Sequence, residues 1–100
     1  MVVGHTRCGA VSGACNHAKL GHVTGLLAKI QPAVTKVAKT SSQPASGPEF
    51  EDKVAAENVK LVVSQIRSQS PILRKLEQDG KLIIAGGIYD LHTRKVEFLN

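Results

Sequence analysis

The chain has 100 residues, which allows one domain with an adequate but small hydrophobic core. Hydrophobic residues make up 42% of the chain and aromatic residues only 3%, so we expect a core built from Val, Leu, Ile and Ala. The net charge of +5 comes from basic residues that are spread among acidic ones, and few aromatic side chains are present to stack on bases. These features argue against a nucleic-acid partner.

The sequence does not support membrane insertion or secretion either. No apolar run approaches the length of a membrane span, and Gly4, His5 and Arg7 interrupt the N-terminal segment before it could form a signal peptide. Two cysteines are too few for a disulfide-stabilised scaffold. The compartment stays open, and the cytoplasm is the default expectation.

The N-terminal segment combines two metal-ligating side chains with a predicted change from strand to helix; its residues 2 to 9 are Val-Val-Gly-His-Thr-Arg-Cys-Gly. The two valines are typical of the end of a buried strand, Gly4 allows the backbone to turn, and residues 9–15 are predicted as a short helix. Cys8 would then lie at a helix N-terminus, which favours the thiolate. Imidazole and thiolate together suit zinc, so His5 and Cys8 are candidate ligands, although two ligands alone do not complete a zinc site and a structural role is the alternative.

Three further potential ligands, Cys15, His17 and His22, follow closely. Their spacing fits no zinc motif, so we expect the two histidines to be solvated in a loop. A second hypothesis is that one of them completes the coordination of His5 and Cys8.

Two long helices are predicted in the middle of the chain. Residues 22–38 have an apolar face at helical spacing, and Pro32 predicts a kink or two separate pieces because it lacks an N–H group. Residues 40–48 are rich in Ser, Pro and Gly, which predicts a flexible surface linker, with a lid as the alternative. Residues 49–69 are predicted to form the strongest helix, with acidic residues in its first turn.

A helix, a strand and a hairpin are predicted in the C-terminal third. Ser70 is the predicted N-cap of the helix and Gly80 its end. The continuous apolar run at residues 82–85 is typical of a parallel strand that is covered on both faces. Residues 88–99 are predicted to form a terminal hairpin with an exposed His92 in its turn.

Residues 2 to 11 closely resemble the second zinc-binding motif of the β-class carbonic anhydrases, a strand that ends in Gly-His-Thr/Ser-x-Cys-Gly. The similarity continues over nearly the whole chain, in the segments Leu20 to Gly21, Leu26 to Val34, Glu57 to Lys60, Ser70 to Leu73, Gly80 to Leu82, Tyr89 to Leu91 and Lys95 to Leu99. This resemblance implies an α/β fold in which a partial parallel sheet is flanked by helices and ends in a C-terminal β-hairpin. Residues 1–100 would form a single C-terminal part of the family domain.

The resemblance also implies a function. It assigns His5 and Cys8 to a zinc ion, places the backbone at Gly9 beside the substrate pocket, and predicts the reversible hydration of carbon dioxide to bicarbonate. Enzymes of this family take a further zinc ligand and a catalytic Asp/Arg pair from an upstream Cys-x-Asp-Ser-Arg motif, which this sequence lacks. We therefore assign no catalytic residues and expect little or no activity from the chain alone.

Two other functions compete with this one. The first is a folded remnant that binds zinc or a partner without catalysis, and the second is hydrolysis of another linear triatomic substrate. Without an upstream half, the sheet would lose neighbours and expose a strand edge and apolar surface. The expected partners are therefore further copies of the chain, in a dimer or larger homo-oligomer, or the missing N-terminal half.

Overall fold

The structure, a computed structural model, describes residues 1–17, 23–40 and 47–99. Its elements in chain order are β1 (Val2–His5), α1 (Gly9–Cys15), α2 (Val23–Thr40), α3 (Pro48–Gln69), α4 (Pro71–Gln78), β2 (Gly86–Tyr89) and β3 (Val96–Leu99). The strands form a sheet in the order β1-β2-β3, with β1 and β2 parallel and β2 and β3 antiparallel. The predicted α/β class with a C-terminal hairpin is confirmed. None of the helices in these three segments combines the length and the apolarity needed to cross a membrane.

Helix α3 lies at the centre of the packing. It contacts α1, α2 and α4 as well as β1 and β2. The core is made of aliphatic residues with one aromatic ring, and Phe50 and Val54 on α3 are its largest fully buried side chains. Because α3 contacts both the other helices and the sheet, the residues of its N-terminal half can link the helical core to β1.

Glycines on the sheet allow α3 to pack closely against it. A Cβ atom added at Gly4 would lie 2.9 Å from Val59 Cγ2, and one at Gly86 would lie 2.7 Å from Val59 Cγ1. Real Cβ atoms do not approach other carbon atoms so closely, and glycine is the residue that permits this contact. Gly4 and Gly86 therefore define the face of the sheet that α3 covers.

The opposite face of the sheet is exposed. Side chains alternate between faces along a strand, and the strand register places Val3, Val96 and Phe98 on the face away from α3. Their exposed fractions are 49%, 40% and 61%. Within the described residues, the sheet therefore presents an apolar surface to solvent on one side.

The predicted strand at residues 82–85 is wrong, because this segment lies outside the strands and β1 pairs instead with β2. Ile83 is 84% exposed, so the segment is not covered on both faces. The residue beneath Val59 must lack a side chain, and Gly86 meets that requirement where an isoleucine would not. Strand β2 consequently serves both as the parallel partner of β1 and as the first arm of the hairpin, whose turn exposes His92 as predicted.

The two long helices are found close to their predicted limits. Helix α2 is one continuous helix with Pro32 inside it, so the prediction of two separate pieces is wrong. Pro32 and Ala28 are both exposed, which leaves the carbonyl group that loses its N–H partner accessible to water. The ends of the predicted linker at 40–48 belong to α2 and α3, and residues 41–46 between them lie outside the described residues.

Candidate functional site

The candidate ligands lie at the two ends of a tight corner between β1 and α1, formed by residues 5–8. His5 is the last residue of β1, and Cys8 is the N-cap of α1. Between them, Arg7 has a φ of 54°, in the left-handed region that residues with side chains rarely occupy. The turn was predicted at Gly4, but Gly4 lies inside β1 and serves instead to accommodate Val59.

The strand that leads into this corner is more exposed than the sequence predicted. Strand β1 lies at one edge of the described sheet, and Val3 is 49% exposed, so the expectation of a buried strand end is wrong. His5 points to the same face as Val3 and is also exposed. The imidazole is therefore accessible from solvent.

One hydrogen bond defines the tautomer of His5. Its Nδ1 atom lies 2.8 Å from the carbonyl oxygen of Thr6. A carbonyl oxygen can only accept, so Nδ1 carries the proton and Nε2 of the neutral ring keeps a free lone pair. Histidines that bind metals commonly donate their second N–H to a backbone carbonyl in this way.

Cys8 is a free, half-buried thiol. It occupies the N-cap position, yet its side chain makes no capping hydrogen bond, while its carbonyl oxygen accepts the Ser12 N–H at 3.0 Å. The backbone of Cys8 thus starts the helix, and its side chain makes no capping bond and packs partly against the hydrophobic core. The chemistry of the two donors, a neutral imidazole and a thiol, fits zinc.

The second cysteine has a different environment. Cys15 is buried among core residues, and its thiol is also free. Burial, and secondarily the negative charge of Glu51, raise the pKa of the Cys15 thiol above its ordinary value. Cys15 is therefore poorly suited to bind a metal as a thiolate.

His5 and Cys8 are not joined by a third ligand in the part of the chain that the structure describes. Among those residues, no group of three or more His, Cys, Asp and Glu side chains is arranged to hold a metal ion. His17 is exposed just beyond α1, and His22 lies outside the described residues. Gly9, the predicted substrate-pocket residue, is exposed at the start of α1.

Acidic residues of α3 hold the corner in place. Asp52 Oδ1 accepts the backbone N–H of Arg7 at 3.1 Å, and Asp52 Oδ2 lies 3.3 Å from the Arg7 guanidinium. Glu51 accepts a hydrogen bond from the Ser12 hydroxyl at 2.9 Å. From the sequence, these carboxylates are expected only to stabilise α3 through its helix dipole. No local signal connects Asp52 with Arg7, which lies 45 positions away.

The loop after β2 closes the corner from the other side. The Thr6 N–H donates to the Tyr89 carbonyl at 3.0 Å, and the Thr6 hydroxyl accepts the Leu91 N–H at 3.0 Å. Asp90 accepts the backbone N–H groups of Thr93 and His92, and these hydrogen bonds lower the pKa of its carboxyl group. The corner is thus attached to both β2 and α3.

A cavity of about 360 Å³ is separate from this corner. It lies between α3 and the strands β2 and β3 and is lined by Val59, Lys60, Val63, Arg67, Ile84, Gly86 and Leu99. No corner residue lines it. The candidate site is therefore defined by the side chains of the corner and their hydrogen bonds rather than by this cavity.

A histidine at the end of a strand, followed by a cysteine at the start of a helix, gives the corner of this α/β fold two side chains of the kinds that bind zinc. The family model described as carbonic anhydrase matches residues 1–96. The chain therefore belongs to the carbonic anhydrase family, and the predicted resemblance is confirmed.

Solved structures of β-carbonic anhydrases share the fold. The enzyme CafA of the fungal pathogen Aspergillus fumigatus is 25% identical with a TM-score of 0.83, and the match covers 98% of this chain and 46% of that one. A tetrameric β-carbonic anhydrase from Sordaria macrospora is 19% identical with a TM-score of 0.82, and the match covers 98% and 50% of the two chains. CafD of Aspergillus fumigatus is 23% identical with a TM-score of 0.69, with 98% and 54% covered.

The present chain spans about half the length of these solved relatives. No curated protein sequence matches it significantly.

Proposed function

We propose that the chain contributes His5 and Cys8 to the zinc site of a β-class carbonic anhydrase and so takes part in the reversible hydration of carbon dioxide to bicarbonate. One observation carries the proposal. The hydrogen bond from His5 Nδ1 to the Thr6 carbonyl leaves Nε2 free, three residues before a thiol that makes no capping bond. Membership of the family gives this pair of donors its functional context.

The residues of the corner have separate tasks in this proposal. The Thr6 carbonyl orients the imidazole and keeps it in the tautomer that can bind a metal. Cys8 would hold the metal as a thiolate, and the backbone at Gly9 would border the substrate. Zinc, when bound, supplies a Lewis acid that makes water a nucleophile at neutral pH.

Catalytic activity requires further groups in addition to His5 and Cys8. Catalytic zinc sites use three protein ligands, and the corner offers two. We therefore expect the isolated chain to bind zinc weakly and to hydrate little or no carbon dioxide.

Reconstitution with a separately expressed upstream half of a β-carbonic anhydrase tests the proposal. We expect the mixture to retain zinc and to hydrate carbon dioxide in a stopped-flow assay, whereas the isolated chain does neither to a comparable extent. His5→Ala and Cys8→Ala should abolish both gains. His92→Ala removes an exposed histidine in the hairpin turn and serves as the matched control. Zinc content that is unchanged by His5→Ala and Cys8→Ala contradicts the proposal.

The alternative is a remnant of the fold that binds zinc or a partner without catalysis. The presence of only two candidate ligands among the described residues favours it. In that case the reconstituted mixture takes up zinc or forms a complex but shows no hydration. The same experiment therefore separates the two functions.

The partner that we propose for the exposed sheet face is a second copy of the chain. The surface around Val3, Val96 and Phe98 is apolar and exposed, and burying such surface drives association. The solved relative from Sordaria macrospora is described as tetrameric, which is consistent with assembly in this family.

A further inference from the structure

We propose that Asp52 is a positioning residue for the metal site, because its carboxylate holds Arg7 in the conformation that joins His5 to Cys8. The metal-binding part of this inference rests on the proposed function. The conformational part concerns Arg7 and Asp52 alone and can be tested without a metal.

The conformation of Arg7 needs support from outside the corner. For a residue with a side chain, the left-handed region is disfavoured sterically, and Asn, Asp and Gly occupy it more readily than Arg. Arg7 nevertheless has a φ of 54°. Such conformations persist where neighbouring groups fix them, and they cluster at functional sites.

Asp52 supplies this support through both of its oxygen atoms. Oδ1 accepts the Arg7 backbone N–H at 3.1 Å, and Oδ2 pairs with the guanidinium at 3.3 Å. The first contact fixes the peptide plane that precedes the left-handed residue, and the second fixes its side chain. A hydrogen bond to a charged acceptor is stronger than one between neutral groups.

The carboxylate is itself attached to a rigid element. Asp52 lies in the N-terminal part of α3, next to the fully buried Val54. Further along the same helix, Val59 packs against Gly4 in the strand that carries His5. Helix α3 therefore sets the position of the strand and of the turn together, so that loss of Asp52 frees the turn while the strand stays in place.

Cadmium binding to the full chain provides the test, because a thiolate–cadmium charge-transfer band that is lost in Cys8→Ala reports the bond to Cys8. We expect Asp52→Ala to weaken cadmium binding by about tenfold or more, as for other residues that orient metal ligands. Asp52→Asn retains an acceptor for the Arg7 N–H but loses the charge, so its affinity should be intermediate. Glu49→Ala makes the same change of charge on an exposed residue in the first turn of α3 and should have almost no effect.

A rescue variant separates positioning from a general loss of structure. Glycine adopts a positive φ without a steric penalty, so Arg7→Gly in the Asp52→Ala background should recover part of the lost affinity. Damage to the fold would not be repaired by removal of another side chain. Circular dichroism of each variant confirms that the helices are retained.

NMR measures the conformation directly. The NOE between the amide and Hα protons of Arg7, which is strong at positive φ, should weaken in Asp52→Ala and stay unchanged in Glu49→Ala. The positioning proposal is overturned if Asp52→Ala keeps the strong Arg7 NOE of the unsubstituted chain, or if it binds cadmium as tightly as Glu49→Ala. By contrast, cadmium binding that is unaffected by Cys8→Ala refutes the proposed metal site. If the unsubstituted chain binds no cadmium, the NMR result alone decides the role of Asp52.

Discussion

At the scale of single residues, Gly4 determines how closely α3 packs on the strand that carries His5. An added Cβ atom would lie 2.9 Å from Val59 Cγ2 and 3.0 Å from Ile88 Cδ1, so one of these side chains has to move. We expect Gly4→Ala to lower the free energy of unfolding by about 1–3 kcal/mol, the usual cost of overpacking. Urea denaturation followed by circular dichroism measures this loss.

Gly25 provides the matched control for that substitution. It lies in α2, is exposed, and no described atom lies within 4 Å of its hypothetical Cβ atom. Gly25→Ala should leave the protein unchanged or stabilise it by up to about 1 kcal/mol, because alanine favours a helix. Equal stability of the two variants would show that α3 does not press on Gly4.

The two cysteines should differ in reactivity. Cys15 is 8% exposed and its thiol has a raised pKa, whereas Cys8 is half-buried at the corner. Alkylation requires access and a thiolate, so at neutral pH iodoacetamide should modify Cys8 about tenfold faster than Cys15 or more. Peptide mass spectrometry at timed intervals measures both rates. Faster modification of Cys15 would contradict the burial described above.

The raised pKa of Cys15 also predicts how the stability of the chain and the reactivity of this thiol depend on pH. The folded chain holds this thiol proton more tightly than the unfolded chain does. The contribution of the protonated Cys15 thiol to the free energy of unfolding is present below the ordinary thiol pKa. It is lost as the pH rises through the raised value. Alkylation of Cys15 should accordingly accelerate at a higher pH than that of an unburied thiol.

At the scale of elements, local signals predicted the helices and failed to predict the register of the sheet. Ser70 is the expected N-cap, and its hydroxyl accepts the Leu73 N–H at 3.3 Å. Helix α1 has the predicted limits, because the signals for a helix lie within a few neighbouring residues. The apolar run at 82–85 was mistaken for the strand because the requirement for Gly86 comes from Val59, on another element. For the same reason the sequence indicated His5 and Cys8 but not Asp52.

Helix α4 depends on a polar attachment to α3. It has no buried residue, and Ile72 is 74% exposed. The Arg67 guanidinium binds both carboxylate oxygens of Glu77, with Nε–Oε1 and Nη2–Oε2 distances of 3.0 and 2.9 Å, and Nη2 also donates to the Ile84 carbonyl at 3.3 Å. This side chain therefore joins α3, α4 and the segment that leads into β2.

Glu77→Gln should lower stability in a way that depends on pH. The hydrogen bond from Arg67, followed by its charge, lowers the pKa of the Glu77 carboxyl group. The stabilising contribution is thus present above the ordinary pKa of glutamate and is lost as the pH falls through the lowered value. The difference in urea midpoint between the unsubstituted chain and Glu77→Gln should be largest near neutral pH and should disappear in acid. Glu97→Gln, an exposed change on β3, should show no such dependence.

At the scale of the whole molecule, the chain is less compact than a typical domain of its length. Its radius of gyration is 14.5 Å, compared with about 13 Å for a typical domain of this size. The exposed apolar face of the sheet includes Val3 on β1, and β1 also has a free edge in the part of the sheet that the structure describes. Both features favour association, since an unpaired edge and an apolar surface each gain from a partner.

Phe98 tests whether that face holds the assembly together. It is 61% exposed, so Phe98→Ser should leave the fold intact while removing the largest apolar group of the face. We expect light scattering to give the unsubstituted chain at least twice the mass of one protomer, and Phe98→Ser to shift the equilibrium toward the monomer by about tenfold or more. Ile72→Ser removes an apolar side chain that is 74% exposed on α4, away from the sheet, and should leave the assembly unchanged. A stable monomer of the unsubstituted chain would contradict self-association, and an equal response to both substitutions would place the contact elsewhere.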